Sequence, residues 1–128
     1  MGLDEHVIYM GYFEPQEWVN CYAAADLFTF PSVTETQGLV VTEAMAVGTP
    51  VVAIGKMGVA EVMADQRGGI LVDEDVDHFV EKVKLILTDR KLYEQKSREA
   101  FAVAKEWSAR TMAEKMIEKY SRLIAEKK

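Results

Sequence analysis

Four short, uninterrupted apolar runs punctuate the first 72 residues: VIYM (7–10), LFTF (27–30), PVVAI (50–54) and GILV (69–72). A strand with one wet face alternates apolar and polar residues, because successive side chains point to opposite sides of the sheet. Continuous runs therefore predict strands covered on both faces, as in a parallel sheet flanked by helices. Helical patterns fill the gaps between them, and strands that alternate with helices specify a layered α/β architecture. The expectation is an α/β fold: a Rossmann-like parallel sheet of about four strands with flanking helices and a helical C-terminal part.

Pro15 suits the first turn of a helix running to about Ala25, with Trp18, Tyr22 and Ala25 on one face. LVVTEAMAV follows Gly38 and is closed by Gly48, and GVAEVMADQ supplies a short helix before Gly68 and Gly69. Past Val72 the strands stop. Asp73 or Asp75 can cap a helix with Val76, Phe79, Val80, Val83 and Leu87 at helical spacing, and a second helix covers about 90–106. A third begins near Ser108 and aligns Met112, Met116, Tyr120, Leu123 and Ile124, opposite a face of mixed charge. Residues 1–128 thus read as a single domain, with a sheet region to about 72 and a helical region beyond it.

Composition removes several function classes. With 49% hydrophobic and 28% charged residues, the chain can bury a core and is not disordered. Its net charge of −6, with cations dispersed among acids, argues against nucleic-acid binding. Cys21 is the only cysteine, so no intrachain disulfide can form, and a core position on its helix is expected. No run approaches the length of a membrane span, the first ten residues do not read as a signal peptide, and the expected compartment is the cytoplasm. His6 and His78 lack metal-ligand spacing, and no metal or other cofactor is expected. Trp18 and Trp107 read as packing residues.

The chemistry concentrates in PSVTETQGLVVTEAMAV (31–47), a loop followed by a helix at the carboxyl end of a strand, where open parallel sheets bind ligands. Gly38 permits close backbone approach, and the N–H groups of Leu39 and Val40 lack intrahelical partners, so this helix start can seat a phosphate. Glu43 lies one turn into a helix that is apolar nearly all round, which predicts burial. A buried carboxylate needs a partner, and vicinal sugar hydroxyls suit it. Glu35, on the loop, could serve a neighbouring sugar. Structural alternatives stand beside these. Thr34 and Gln37 fit a capping box, Glu35 could be a solvated loop acid, and Glu43 could pair with Lys56 or Arg67.

The stretch resembles the signature of the retaining, nucleotide-sugar-dependent group 1 glycosyltransferases of the GT-B fold. Pro31-Ser32, Glu35, Gly38-Leu39, Glu43-Ala44-Met45-Ala46, Gly48 and Pro50-Val51-Val52-Ala53 carry it, with seven residues between the two glutamates. The resemblance implies part of that fold's C-terminal, nucleotide-sugar-binding domain, truncated at its N-terminus. By position, Glu35, Gln37, Gly38 and Leu39 would face the donor sugar and diphosphate. Glu43 would hold the ribose hydroxyls, with Thr42 near the ribose or phosphate and Gly11 and Tyr12 near the base. The loop Gly55-Lys56-Met57-Gly58 departs from the family's Gly-Gly-x-Pro-Glu, matching only at Gly58 and Glu61.

The implied partners are a nucleoside-diphosphate sugar and a lipid or glycan acceptor reached through a first domain this sequence does not contain. The family's Arg/Lys clamp on the diphosphate is also missing, so the isolated chain is expected to be inactive, and the parent enzyme's association with a membrane stays open. A non-catalytic nucleotide-binding or assembly module, a folding fragment and, with less support, a glycoside hydrolase using Glu35 and Glu43 are the competing readings. In the family's strand order, 3-2-1-4-5-6, VIYM and LFTF would be separated by a two-strand gap with an exposed edge. Either VIYM moves beside LFTF, or two chains join as a homodimer at that edge.

Overall fold

The computed structural model describes residues 2–127. Its described elements run α1 (Pro15–Ala24), β1 (Phe28–Phe30), α2 (Leu39–Ala46), β2 (Val51–Ile54), α3 (Met57–Val62), β3 (Gly69–Val72), α4 (Val76–Thr88), α5 (Arg90–Glu106) and α6 (Ala109–Glu126). The three strands form one parallel sheet in the order β1-β2-β3, with Phe28 opposite Val51 and Val51 opposite Gly69.

All four residues of β2 are buried, which is why its sequence is continuous rather than alternating. Val51 and Ala53 face a core shared with Tyr22, Val41, Met45, Val59 and Met63, where α1, α2, α3 and α5 converge. Val52 and Ile54 face the opposite layer, joined by Val72, Phe79, Val83 and Ile86 from β3 and α4. Two helical layers thus enclose the middle strand.

Helix ends follow local chemistry. Gly48, at φ 82, closes α2 in a Schellman arrangement: its N–H donates to Met45 O and that of Thr49 to Ala44 O. Asp75, rather than Asp73, caps α4 by accepting the His78 N–H, and Ser108 caps α6 by accepting that of Thr111. On α4, Ile86 turns to the core, whereas Val76, Val80 and Leu87, expected on the apolar face, are exposed.

The expected fourth strand is corrected. VIYM forms no strand and pairs with no strand among the described residues; Val7, Ile8, Tyr9 and Met10 are between 61% and 88% exposed. An extended run becomes a strand only when its N–H and C=O groups meet a ladder. Here the nearby bonds are local, from His6 and Val7 back to Leu3 O. VIYM therefore does not move beside LFTF, and β1 keeps an edge without a neighbouring strand among the described residues. Cys21 is also corrected: it is exposed on α1, because the face carrying Tyr22 packs inward and Cys21 is about 100° around the helix from it. Trp18 is 44% exposed, its indole N–H donating to Phe13 O, while Trp107 packs against the larger core.

Candidate functional site

The loops after β1, β2 and β3 meet at the carboxyl edge of the sheet, and the first two are laced together by backbone. Gly58 N–H donates to Glu35 O at 3.1 Å. A Cβ on Gly58 would collide with the Thr36 carbonyl and lie 2.6 Å from Gln37 N, so the contact admits only hydrogen there. Gly38, at φ 71, forms the N-cap of α2 in the left-handed region. It too faces Gly58, whose carbonyl oxygen would sit 3.1 Å from an added Cβ.

Glu35 braces this loop from within. Its Oε1 accepts the N–H groups of Gln37 and Gly38, each at 2.9 Å. Those two bonds, Gln37's first and Gly38's second, hold the carboxyl below the usual carboxylate range. Oε2 has no hydrogen bond among the described residues. The expected Thr34–Gln37 capping box does not form; Thr34 N–H turns back to Ser32 Oγ instead.

Glu43 is exposed, not buried, and the physical reason is the geometry of α2. Val41, Ala44 and Met45 fill the inward face, which leaves Leu39, Glu43 and Ala46 as an outward strip at helical spacing. An apolar composition made the whole helix look enclosed, but only one face is. Neither cation considered for Glu43 reaches it. Lys56 pairs with Glu74 at 2.8 Å, and Arg67 pairs with Asp65 and, bidentately, with Glu106.

Its partner is Tyr22 of α1, whose hydroxyl donates to Glu43 Oε2 at 3.2 Å. Burial, and then the Glu43 charge, pushes the Tyr22 phenol up to about 12. Sequence reasoning placed Tyr22 on one face of α1 with Trp18 and Ala25 but could not see this bond, which crosses 21 residues of chain. The pair lines a groove of about 750 Å³ between α1 and α2, otherwise walled by apolar residues including Pro15, Trp18, Val19 and Val47.

The remaining candidates disperse around this centre. Gln37 and Leu39 are exposed at the start of α2, and Thr42 turns its hydroxyl to Leu39 O at 2.8 Å. Gly11, at φ 77, and Tyr12, 98% exposed, precede α1 and do not line the groove. Leu39 and Val40 N–H have no hydrogen-bond acceptor among the described residues, as expected at a helix start. No described helix is long and apolar enough to cross a membrane.

The chain is similar in sequence and fold to known glycosyl transferases. The family described as glycosyl transferases group 1 matches residues 1–103. A D-inositol 3-phosphate glycosyltransferase of Nocardia farcinica is 33% identical over 127 residues, covering 98% of this chain and 28% of that protein. A sulfoquinovosyl transferase of Arabidopsis thaliana is 40% identical over 91 residues, covering 68% of this chain and 18% of its own length. The crystal structure of the C-terminal domain of a group 1 glycosyl transferase family protein from Francisella tularensis superposes with a TM-score of 0.73 at 26% identity. It covers 83% of this chain and 55% of that one. The chain therefore spans under a third of each of these curated relatives.

Proposed function

This chain belongs to the group 1 glycosyl transferases, and on that footing we propose that it forms the donor-binding portion of a retaining enzyme using a nucleoside-diphosphate sugar. The observation that carries the reading is Glu43, a carboxylate on the outward face of α2, at a groove with mostly apolar walls. It lies one turn from the unpartnered N–H groups of Leu39 and Val40. A carboxylate beside a helix start offers two complementary seats, one for vicinal ribose hydroxyls and one for phosphate oxygens.

In this reading Glu43 accepts the ribose hydroxyls, and Gln37, Gly38 and Leu39 offer backbone to the diphosphate and sugar. Glu35 keeps Oε1 on its own loop and presents Oε2 to the sugar, while Thr42, Gly11 and Tyr12 approach the nucleotide. No metal is required, since helix-end N–H groups face the phosphates. The acceptor, a lipid or glycan, meets the donor through the rest of the longer enzyme. The reaction belongs in the cytoplasm, where nucleotide sugars are available to a chain of this composition.

Lys56 and Arg67 are engaged by acids, so neither is free to neutralise a diphosphate. The 128-residue chain should accordingly bind nucleotide weakly and transfer no sugar; a clear transfer rate would overturn that part. A glycoside hydrolase is disfavoured, because Glu35 is held ionised by its backbone donors and a general acid needs the opposite shift.

Titration of the 15N-labelled chain with millimolar UDP and GDP tests the donor site. Amide shifts confined to Gly38–Glu43 are expected, and Glu43→Ala should abolish them. Shifts that persist unchanged in that variant would remove Glu43 from the site. The unpaired edge of β1 should also join two copies through their sheets. Sedimentation velocity showing only monomer across the micromolar range would refute that association.

A further inference from the structure

Tyr22 has almost no freedom of its own. Its side chain packs edge-on against Phe28, with ring centroids 5.3 Å apart, and lies tilted against Trp18 at 6.4 Å. The residue is 8% exposed, and its carbonyl accepts the buried Thr49 hydroxyl at 2.7 Å, which fixes the end of α1 to the start of β2. A ring packed between Phe28 and Trp18, on a backbone tied to Thr49, delivers its hydroxyl to one point. Glu43 is the contrary case, a long side chain on the outward face of α2. Without an anchor it would distribute its carboxylate over several rotamers, and a ligand would have to freeze them on binding.

Resting on the donor-site reading above, we infer that Tyr22 is a positioning residue. Its phenol hydroxyl holds Glu43 Oε2 at the mouth of the α1–α2 groove, so that Oε1 meets the vicinal hydroxyls of a ribose already oriented. Glu43 Oε1 makes no hydrogen bond among the described residues and is open to that role. The groove's volume of about 750 Å³ falls within the range of small-ligand sites. Its mostly apolar walls concentrate specificity in the single carboxylate and the hydroxyl that holds it. The inference also explains why a tyrosine with a buried ring keeps a hydroxyl at all: phenylalanine would pack equally well against Phe28 and Trp18, but would leave Glu43 unanchored.

The test separates anchoring from folding. Tyr22→Phe retains the ring, so its thermal melt should match wild type. Affinities for UDP and for 2′-deoxy-UDP are then measured by NMR titration in wild type, Tyr22→Phe and Glu43→Ala. Losing one charge-assisted hydrogen bond should weaken UDP binding about five- to tenfold in Tyr22→Phe. Wild type should prefer UDP over 2′-deoxy-UDP about tenfold, and that preference should shrink to about twofold in the variant, because a free carboxylate discriminates the diol poorly. A purely structural role for Tyr22 would weaken both nucleotides equally and leave their ratio intact.

Four results overturn the inference. If Tyr22→Phe binds both probes as wild type does, or loses both in proportion, Tyr22 does not position Glu43, while the donor-site reading still stands on Glu43→Ala. If the wild-type chain shows no shift with either probe at millimolar concentration, both fail together. A second measurement needs no nucleotide. Glu43→Gln removes the charge beside Tyr22, and the ultraviolet titration of its phenol should move to lower pH; an unmoved titration would mean that the two side chains do not meet in solution.

Discussion

Gly58→Ala should destabilise the chain by about 2–3 kcal/mol and dislocate the loop that carries Glu35. The added methyl would meet the Thr36 carbonyl and Gln37 N, which are backbone atoms with no rotamer through which to retreat. Either α3 lifts from the loop or the loop moves away from Gly38. Both moves break the Gly58 N–H bond to Glu35 O, and the hydrogen bonds of Glu35 to Gln37 and Gly38 follow. Thermal denaturation should register the loss, and amide shifts should cluster at residues 35–39. Gly55→Ala is the control three residues away: the nearest atoms to its new Cβ would be those of the Leu71 side chain, at 3.4 Å and beyond, an ordinary contact. If the two variants melt alike, the close approach does not exist in solution.

Met45→Ala should cost about 3–4 kcal/mol, within the range for deleting a fully buried Met side chain. Met45 has no exposed surface and packs with Val41, Val51, Met63 and Val103. Its Cε approaches Gly68, whose own Cβ, if present, would lie 3.0 Å from it. The cavity would open between α2 and α5, where little can collapse because Gly68 and Ala100 are already minimal. At roughly 4 °C per kcal/mol for a domain of this size, the melt should fall by about 12–16 °C. Met116→Ala on α6 makes the contrast, since that residue is 51% exposed and its removal should change stability by less than about 0.5 kcal/mol. A melt of Met45→Ala within a few degrees of wild type would mean that the core repacks around the gap.

These two methionines mark the limit of what an apolar pattern discloses. Both sit at helical spacing among other apolar residues. α2 is pressed against the sheet on one side, whereas α6 buries none of its residues and leaves Met116, Ile117, Tyr120, Leu123 and Ile124 more than half exposed. Periodicity states that a face is apolar; only a partner makes it a core. VIYM fails for the same reason, a strand by composition but without a ladder to join.

Glu43 was misjudged from the other direction. An eight-residue helix with seven uncharged residues looked enclosed, but enclosure is a property of its neighbours, and here an outward strip through Leu39, Glu43 and Ala46 stays open. The candidate site nevertheless kept its address. The loop after β1, the glycine at the start of α2 and both glutamates lie at the carboxyl edge of the parallel sheet, because strand–loop–helix connectivity leaves them nowhere else to go.

The sequence by itself determined the elements whose causes are local. These are the apolar runs of the three paired strands and the helix ends set by Pro15, Gly48 and Ser108. The turn around Gly38 belongs with them. Such features depend on dihedral preferences and hydrogen bonds spanning a few residues, and those are written in consecutive letters. Tertiary structure alone decided that Glu43 meets Tyr22 rather than Lys56 or Arg67, that Gly58 is pressed onto the Glu35 loop, and that VIYM stands unpaired. Each of these depends on which distant surfaces come together when the core closes, and a contact across 21 residues, as between Tyr22 and Glu43, leaves no mark in the spacing of either partner.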